Sequence, residues 1–132
     1  YIKKPGTYTF YWRSKVGKGD DPTEHNDTWL RFPDALSTFA VQGTDTIRPH
    51  GICVDDCPEG SGSDGWYKMF SSFTTDWTWT SRTSDNHGYE IRVKFDHPDV
   101  YLIQLSGRSN AHQIDKMMLF PHYITLKEAL LK

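Results

Sequence analysis

Cysteine is nearly absent from this chain. Two residues, Cys53 and Cys57, are all that its 132 positions hold. Two cysteines alone are too few for a thiolate zinc site, and their C-x3-C spacing is not the C-x2-C of a redox motif. A disulfide closing a small loop is the expected pairing, and it implies an oxidising compartment. Long apolar runs are missing as well. Nothing approaches the ~20 apolar residues of a membrane-spanning helix, and the start Tyr1-Ile2-Lys3-Lys4 lacks the basic-then-apolar order of a signal peptide. Charge of one sign is also lacking. The net charge is −2, with Lys and Arg scattered rather than striped, which excludes a nucleic-acid groove. No H-E-x-x-H, G-x-S-x-G or phosphate-loop signature occurs. Enzymes built on a pair of carboxylates carry no such signature, so the carboxylates leave that class open.

Aromatic residues are what the chain has in excess: 14 % of positions, with five Trp and seven Tyr, in a composition only 36 % apolar. In a polar chain, rings beyond those a core requires are surface candidates for flat apolar ligand faces. Tyr8, Phe10 and Trp12 alternate with Thr9, Tyr11 and Arg13, a period-2 strand with Trp12 on the core face. Thr28, Leu30 and Phe32 read as the inward face of a second strand, with Asp27, Trp29 and Arg31 outward. The segment 33–65 reads as one long irregular loop ending in a Gly/Ser tract, and such loops are often functional. Trp66 to Phe70 is a further strand. Trp77 and Trp79 share one face of a short strand, both in the core or both at the surface. Tyr89, Ile91, Val93 and Phe95 mark the clearest amphipathic strand. Tyr101, Ile103 and Leu105 point inward from a strand over 100–105. Ile114 to Phe120 closes the series, its run of Met117, Met118 and Leu119 indicating burial on both faces or a bulge. Thr125-Leu126-Lys127-Glu128 matches a capping box, so a short helix ends the chain. Seven or eight strands with turns between them, in a chain of one-domain length, indicate an all-β antiparallel β-sandwich of jelly-roll type.

The stretch 105–115 forms the polar tip of an expected β-hairpin between the last two strands. Arg108, Ser109, Asn110 and His112 offer the mixed donors and acceptors that the hydroxyl edge of a sugar needs. An arginine fork there would recognise a carboxylate or sulfate. Trp29, Trp77 and Trp79, with Trp66 and Tyr67, are the candidate stacking platforms. Asp115 either braces Arg108 or touches ligand. The acidic loop 20–27 is a candidate calcium site, though without the EF-hand spacing. His25, His87 and His112 lie in three loops whose convergence would make a small metalloenzyme.

Taken in order, Gly6-Thr7-Tyr8-Thr9-Phe10-Tyr11-Trp12-Arg13, Asn26-Asp27-Thr28-Trp29, Gly65-Trp66-Tyr67-Lys68, Trp77-Thr78-Trp79, Ser106-Gly107-Arg108-Ser109-Asn110 and Ile114-Asp115-Lys116 resemble the galactose-binding-like β-sandwich modules. The layout is similar to carbohydrate-binding modules of families 6 and 35 and to the C-terminal domain of α-glucuronidases. The resemblance implies a secreted, non-catalytic module that binds polysaccharide or oligosaccharide, neutral or acidic, and targets an appended catalytic domain to it. It assigns Asn110 to the sugar; the residues themselves add Arg108, Ser109, His112, Trp79, Trp77, Trp29 and Asp27 as ligand-binding candidates. Such modules also open on a strand with an E-x-E step that helps hold a structural calcium. No such strand precedes Tyr8, so calcium does not carry over with the rest. The alternative is a structural or adhesive β-sandwich that contacts protein.

Overall fold

The computed structural model describes every residue except Pro22, Ser61, Ser72 and Phe73. Two of these fall in segments read above, Pro22 in the acidic loop and Ser61 in the Gly/Ser tract, and lie outside the described residues.

The alternating strand that opens the chain forms β1 (Gly6–Val16), and the second strand forms β2 (Asp27–Arg31). β3 (Ser37–Gln42), β4 (Asp45–Ile47), β5 (Tyr67–Phe70), β6 (Thr78–Thr80), β7 (Glu90–Phe95), β8 (Gln104–Gly107) and β9 (His112–Pro121) follow, then the helix α1 (Leu126–Leu130). A six-stranded sheet runs β4-β3-β7-β1-β6, with β9 also paired to β1. β7 and β6 pair successive halves of one edge of β1, and β9 runs along the other. A three-stranded sheet, β5-β2-β8, packs against it. All pairings are antiparallel, which makes the molecule a β-sandwich. No helix of the described residues is long and apolar enough to cross a membrane.

The inward faces meet in one cluster: Phe10 and Trp12 of β1, Leu30 of β2, Tyr67 and Met69 of β5, and Ile91, Val93 and Phe95 of β7, none more than 1 % exposed. Burying each such large side chain contributes about 1.5–3 kcal/mol. The period-2 pattern dictates the arrangement, because a one-residue slip would turn each of these side chains out to water.

Three local readings change. The segment 33–65 is not a continuous loop, since it contains the hairpin β3–β4, turned at Gly43 with φ +60°. The small Ala40 faces the core, opposite Ile91, while the larger Phe39 and Val41 point the other way. Residues 100–103 do not form a strand. The Leu102 amide donates to the Asp34 carboxylate at 3.0 Å rather than to a neighbouring strand, and Leu105, expected inward, is 40 % exposed. The last two strands are not a hairpin: β8 belongs to the three-stranded sheet and β9 to the six-stranded one, so the segment between them crosses the sandwich.

The irregular alternation of β9 is explained by a bulge. Arg13 pairs with Lys116 and Ser14 with Ile114, leaving Asp115 as the extra residue. At the C-terminus Thr125 caps α1, accepting from the Glu128 amide while the Glu128 carboxylate accepts from the Thr125 amide.

Candidate functional site

The outward face of the three-stranded sheet brings most of the polar and aromatic candidates together. β2 contributes Asp27, Trp29 and Arg31, alternating outward. Register then sets Ser106 of β8 and Lys68 of β5 on either side of Trp29. Trp66, just before β5, stands beside them. Trp29, Trp66, Ser106 and the loop residues Gly62, Ser63 and Asp64 line a cleft of about 290 Å³. Gly62 passes close over Trp29, where a Cβ would lie 3.4 Å from the ring.

Each indole of this cleft carries a guanidinium. Arg108 lies 5.4 Å from the centre of the Trp29 ring and Arg31 lies 4.7 Å from that of Trp66. Such cation–π contacts hold a flexible side chain in one orientation. Arg31 is fixed further, its Nε donating to Gln104 Oε1 at 2.8 Å and its Nη1 to the Asp64 carbonyl at 3.1 Å. Those acceptors are neutral, so the Arg31 charge has no carboxylate partner among the described residues.

Asp27 is the hinge of the crossover between the sheets. It is only 6 % exposed. Its Oδ2 accepts from Arg108 Nη1 at 2.5 Å, its Oδ1 accepts from the Ser109 hydroxyl, and its carbonyl accepts from the Ser109 amide at 3.2 Å. A carboxylate so buried is tolerated because a cation and a hydroxyl satisfy it. Asp27 therefore positions Arg108 and Ser109 instead of facing solvent. It is the brace of Arg108, a part the sequence offered to Asp115. Asp115 instead forms a two-pronged pair with Arg13 on the other sheet.

Asn110, at the turn of the crossover, is exposed and makes no hydrogen bond among the described residues. His112 sits apart from it. The Thr28 hydroxyl lies 2.8 Å from His112 Nδ1 and the Ser71 hydroxyl 3.0 Å from Nε2, and the ring packs edge-on to Trp12. Burial lowers its pKa to about 4, against an opposing pull from Asp27. It is a neutral strut between the sheets, with neither ring nitrogen left for a ligand. Trp77 and Trp79 belong to the six-stranded sheet. Trp77 is 40 % exposed and carries Arg13 and Lys15 over its ring, at 5.4 and 5.0 Å. Trp79 is half-buried, opposite Arg13.

The sequence reading missed Ser106, which lines the cleft, and Arg31, which lies over the Trp66 ring. Arg31 had a signal, its outward position two residues from Trp29. Ser106 becomes visible only once β8 is paired to β2.

A second cleft, about 380 Å³, opens beyond Asp27 and Lys68 and is lined by Asn26, Arg82, Asp85 and His87 among others. Lys68 is buried there against Asp85. In the acidic loop, Asp21 accepts from the amide and hydroxyl of Thr23, at 2.8 and 2.6 Å. Among the described residues, three or more metal-ligand side chains gather only at His50, Cys53 and Cys57, so His25, His87 and His112 do not converge. Cys53 and Cys57 are joined in the expected disulfide.

No protein-family model, curated protein or solved structure matches the chain. The likeness to galactose-binding-like modules therefore rests on the motifs alone.

Proposed function

We propose that the protein is a non-catalytic carbohydrate-binding domain, and that its ligand is a polysaccharide received on the outward face of the three-stranded sheet. The observation that carries this reading is the cleft lined by Trp29, Trp66, Ser106 and Ser63, whose two indoles also hold the Arg31 and Arg108 guanidinium groups against their faces. Aromatic faces take the C–H face of a pyranose, and fixed donors take its hydroxyl edge. A rigid sheet holding a few well-placed polar groups is the general form of a small-ligand site. The uncompensated charge of Arg31 favours a chain that bears carboxylates or sulfates. Asn110, exposed at the crossover two residues after Arg108, belongs to the ligand set of this proposal. A disulfide-bearing, sugar-binding domain fits a secreted protein, in which it would direct an attached catalytic domain to its substrate.

Affinity electrophoresis through gels containing neutral and acidic polysaccharides tests the proposal. Retardation by at least one acidic polysaccharide is the expected result. Free migration through every gel by a folded protein contradicts it.

A protein-contact role has one observation in its favour. Leu36 and Ile52, 54 % and 60 % exposed, share the rim of a shallow cleft of about 280 Å³. Self-association or capture of a neighbouring domain through Leu36 and Ile52, without any glycan retention, is the outcome that reading predicts.

A further inference from the structure

From the geometry of the 48–58 loop we infer a redox-gated metal site: when the Cys53–Cys57 disulfide is reduced, His50, Cys53 and Cys57 bind one thiophilic divalent cation of the zinc type. The inference is independent of the carbohydrate reading, since these residues take no part in the cleft.

Three features support it. The ligand atoms are already assembled, with the His50 ring nitrogen and both sulfurs all within 4.8 Å of one another. His50 Nδ1 is 3.8 Å from Cys53 Sγ. Zinc–sulfur and zinc–nitrogen distances of about 2.3 and 2.0 Å in a tetrahedron place neighbouring ligand atoms about 3.5–3.8 Å apart. The His50–Cys53 pair therefore already has the spacing of neighbouring zinc ligands, and Cys57 Sγ, freed from the disulfide, has to move away from Cys53 Sγ to take the third corner.

The imidazole is also oriented as a metal ligand. Its Nε2 lies 3.1 Å from the Pro58 carbonyl, an acceptor only, so Nε2 carries the proton and Nδ1 presents its lone pair to the sulfurs. A histidine whose far nitrogen donates to a backbone carbonyl, leaving the near one free, is the usual outer arrangement around bound zinc.

Finally, the loop is held by contacts other than the disulfide. Pro49 and Pro58 are fully buried at its two ends. The Arg48 amide donates to the Asp56 carbonyl at 3.0 Å, and the Arg48 guanidinium pairs with the Asp56 carboxylate. The Cys53 amide donates to the Pro49 carbonyl at 3.1 Å. Reduction thus frees two thiols inside a frame that keeps its shape.

The chemistry balances. A dithiol reductant supplies two electrons to the Sγ–Sγ bond, leaves as its own cyclic disulfide, and gives its two protons to the Cys53 and Cys57 sulfurs. The cation then takes both sulfurs as thiolates, releasing those two protons to solvent. Three protein ligands leave the fourth tetrahedral position to water.

The test uses the whole chain, reduced with a phosphine that is removed anaerobically, and titrated with Co²⁺ as a spectroscopic substitute for Zn²⁺. The expected result is one Co²⁺ per chain, with a thiolate-to-cobalt charge-transfer band that Zn²⁺ abolishes. The oxidised chain should bind none. His50→Ala and Cys57→Ser in the reduced state should each weaken binding more than about 100-fold. Equal binding by oxidised and reduced protein overturns the inference, as does no binding by reduced protein. Reduced protein whose far-ultraviolet circular dichroism departs from that of the oxidised form overturns it too, because the loop is required to hold its shape unaided.

Discussion

At the scale of single residues, His112 and Asp27 decide how the crossover between the sheets behaves. His112 is held neutral, its pKa lowered by burial to about 4 from an ordinary 6.5. A histidine whose folded pKa lies below its unfolded one gives full stability above the unfolded value. That contribution is lost as the pH falls from about 6.5 towards 4, because the unfolded chain takes up a proton that the folded chain refuses. Unfolding by urea should therefore show a stability drop of up to about 3 kcal/mol between pH 7 and pH 4, flattened in His112→Gln. An unchanged slope in the variant would place the acid sensitivity elsewhere. Asp27 makes the opposite kind of contribution, a buried charge fully satisfied by Arg108 and Ser109. Asp27→Ala removes the hydrogen bonds that hold Arg108 and Ser109 but leaves Arg108 free to turn to water, and should cost about 1–3 kcal/mol, read from the same denaturant curves. Arg108→Ala leaves the buried Asp27 carboxylate without its cation and removes a guanidinium from beside Trp29, so it should cost more stability than Asp27→Ala and weaken the binding of an acidic glycan.

Among the elements, the loop that precedes β5 shapes the cleft as much as the sheet does. Gly60 has φ +69°, and a Cβ there would lie 2.1 Å from the Asp85 carboxylate that pairs with Lys68. Gly60→Ala thus combines left-handed strain with displacement of a half-buried ion pair, and should lower stability by about 2 kcal/mol in urea titration. Gly62→Ala has only an ordinary contact with Trp29 to accommodate and carries no positive φ. It should fold as well as the parent while narrowing the cleft. The sequence made these elements legible to different degrees. β1, β2, β5 and β7 carry inward apolar side chains large enough to declare their period, and all were readable. The β3–β4 hairpin hid because its core-facing residue is Ala40, so the pattern points the wrong way. β8 was displaced because Tyr101 and Ile103 do pack on the core, as a strand would have them, while the backbone there bonds to Asp34.

For the whole molecule, the sandwich was readable because its two inward faces are continuous in sequence pattern. The site was readable only in parts. The outward set Asp27, Trp29 and Arg31 follows from strand period alone. That Trp66 stands beside Trp29, and that Trp77 and Trp79 lie on the other sheet, depends on which strand pairs with which, and local pattern does not encode pairing. The consequence is that the aromatic candidates fall into two groups, one per sheet, and Trp29 and Trp66 of the first line a common cleft. In the second, Trp77 carries two cations, Arg13 and Lys15, over its ring, where Trp29 and Trp66 carry one guanidinium each. Association at the first site is expected to weaken with added salt if acidic groups are read by Arg31 and Arg108.

The central claim is that ligand binds between Trp29 and Trp66. It is tested most directly by measuring the affinity of four variants, Trp29→Ala, Trp66→Ala, Trp77→Ala and Trp79→Ala, for the polysaccharide that best retards the parent, with circular dichroism confirming the fold of each. Losing one stacking platform costs about 1–2 kcal/mol, so the first two should each bind roughly tenfold more weakly, while the last two should match the parent. Undiminished binding in both Trp29→Ala and Trp66→Ala, or loss confined to Trp77→Ala and Trp79→Ala, would contradict the account.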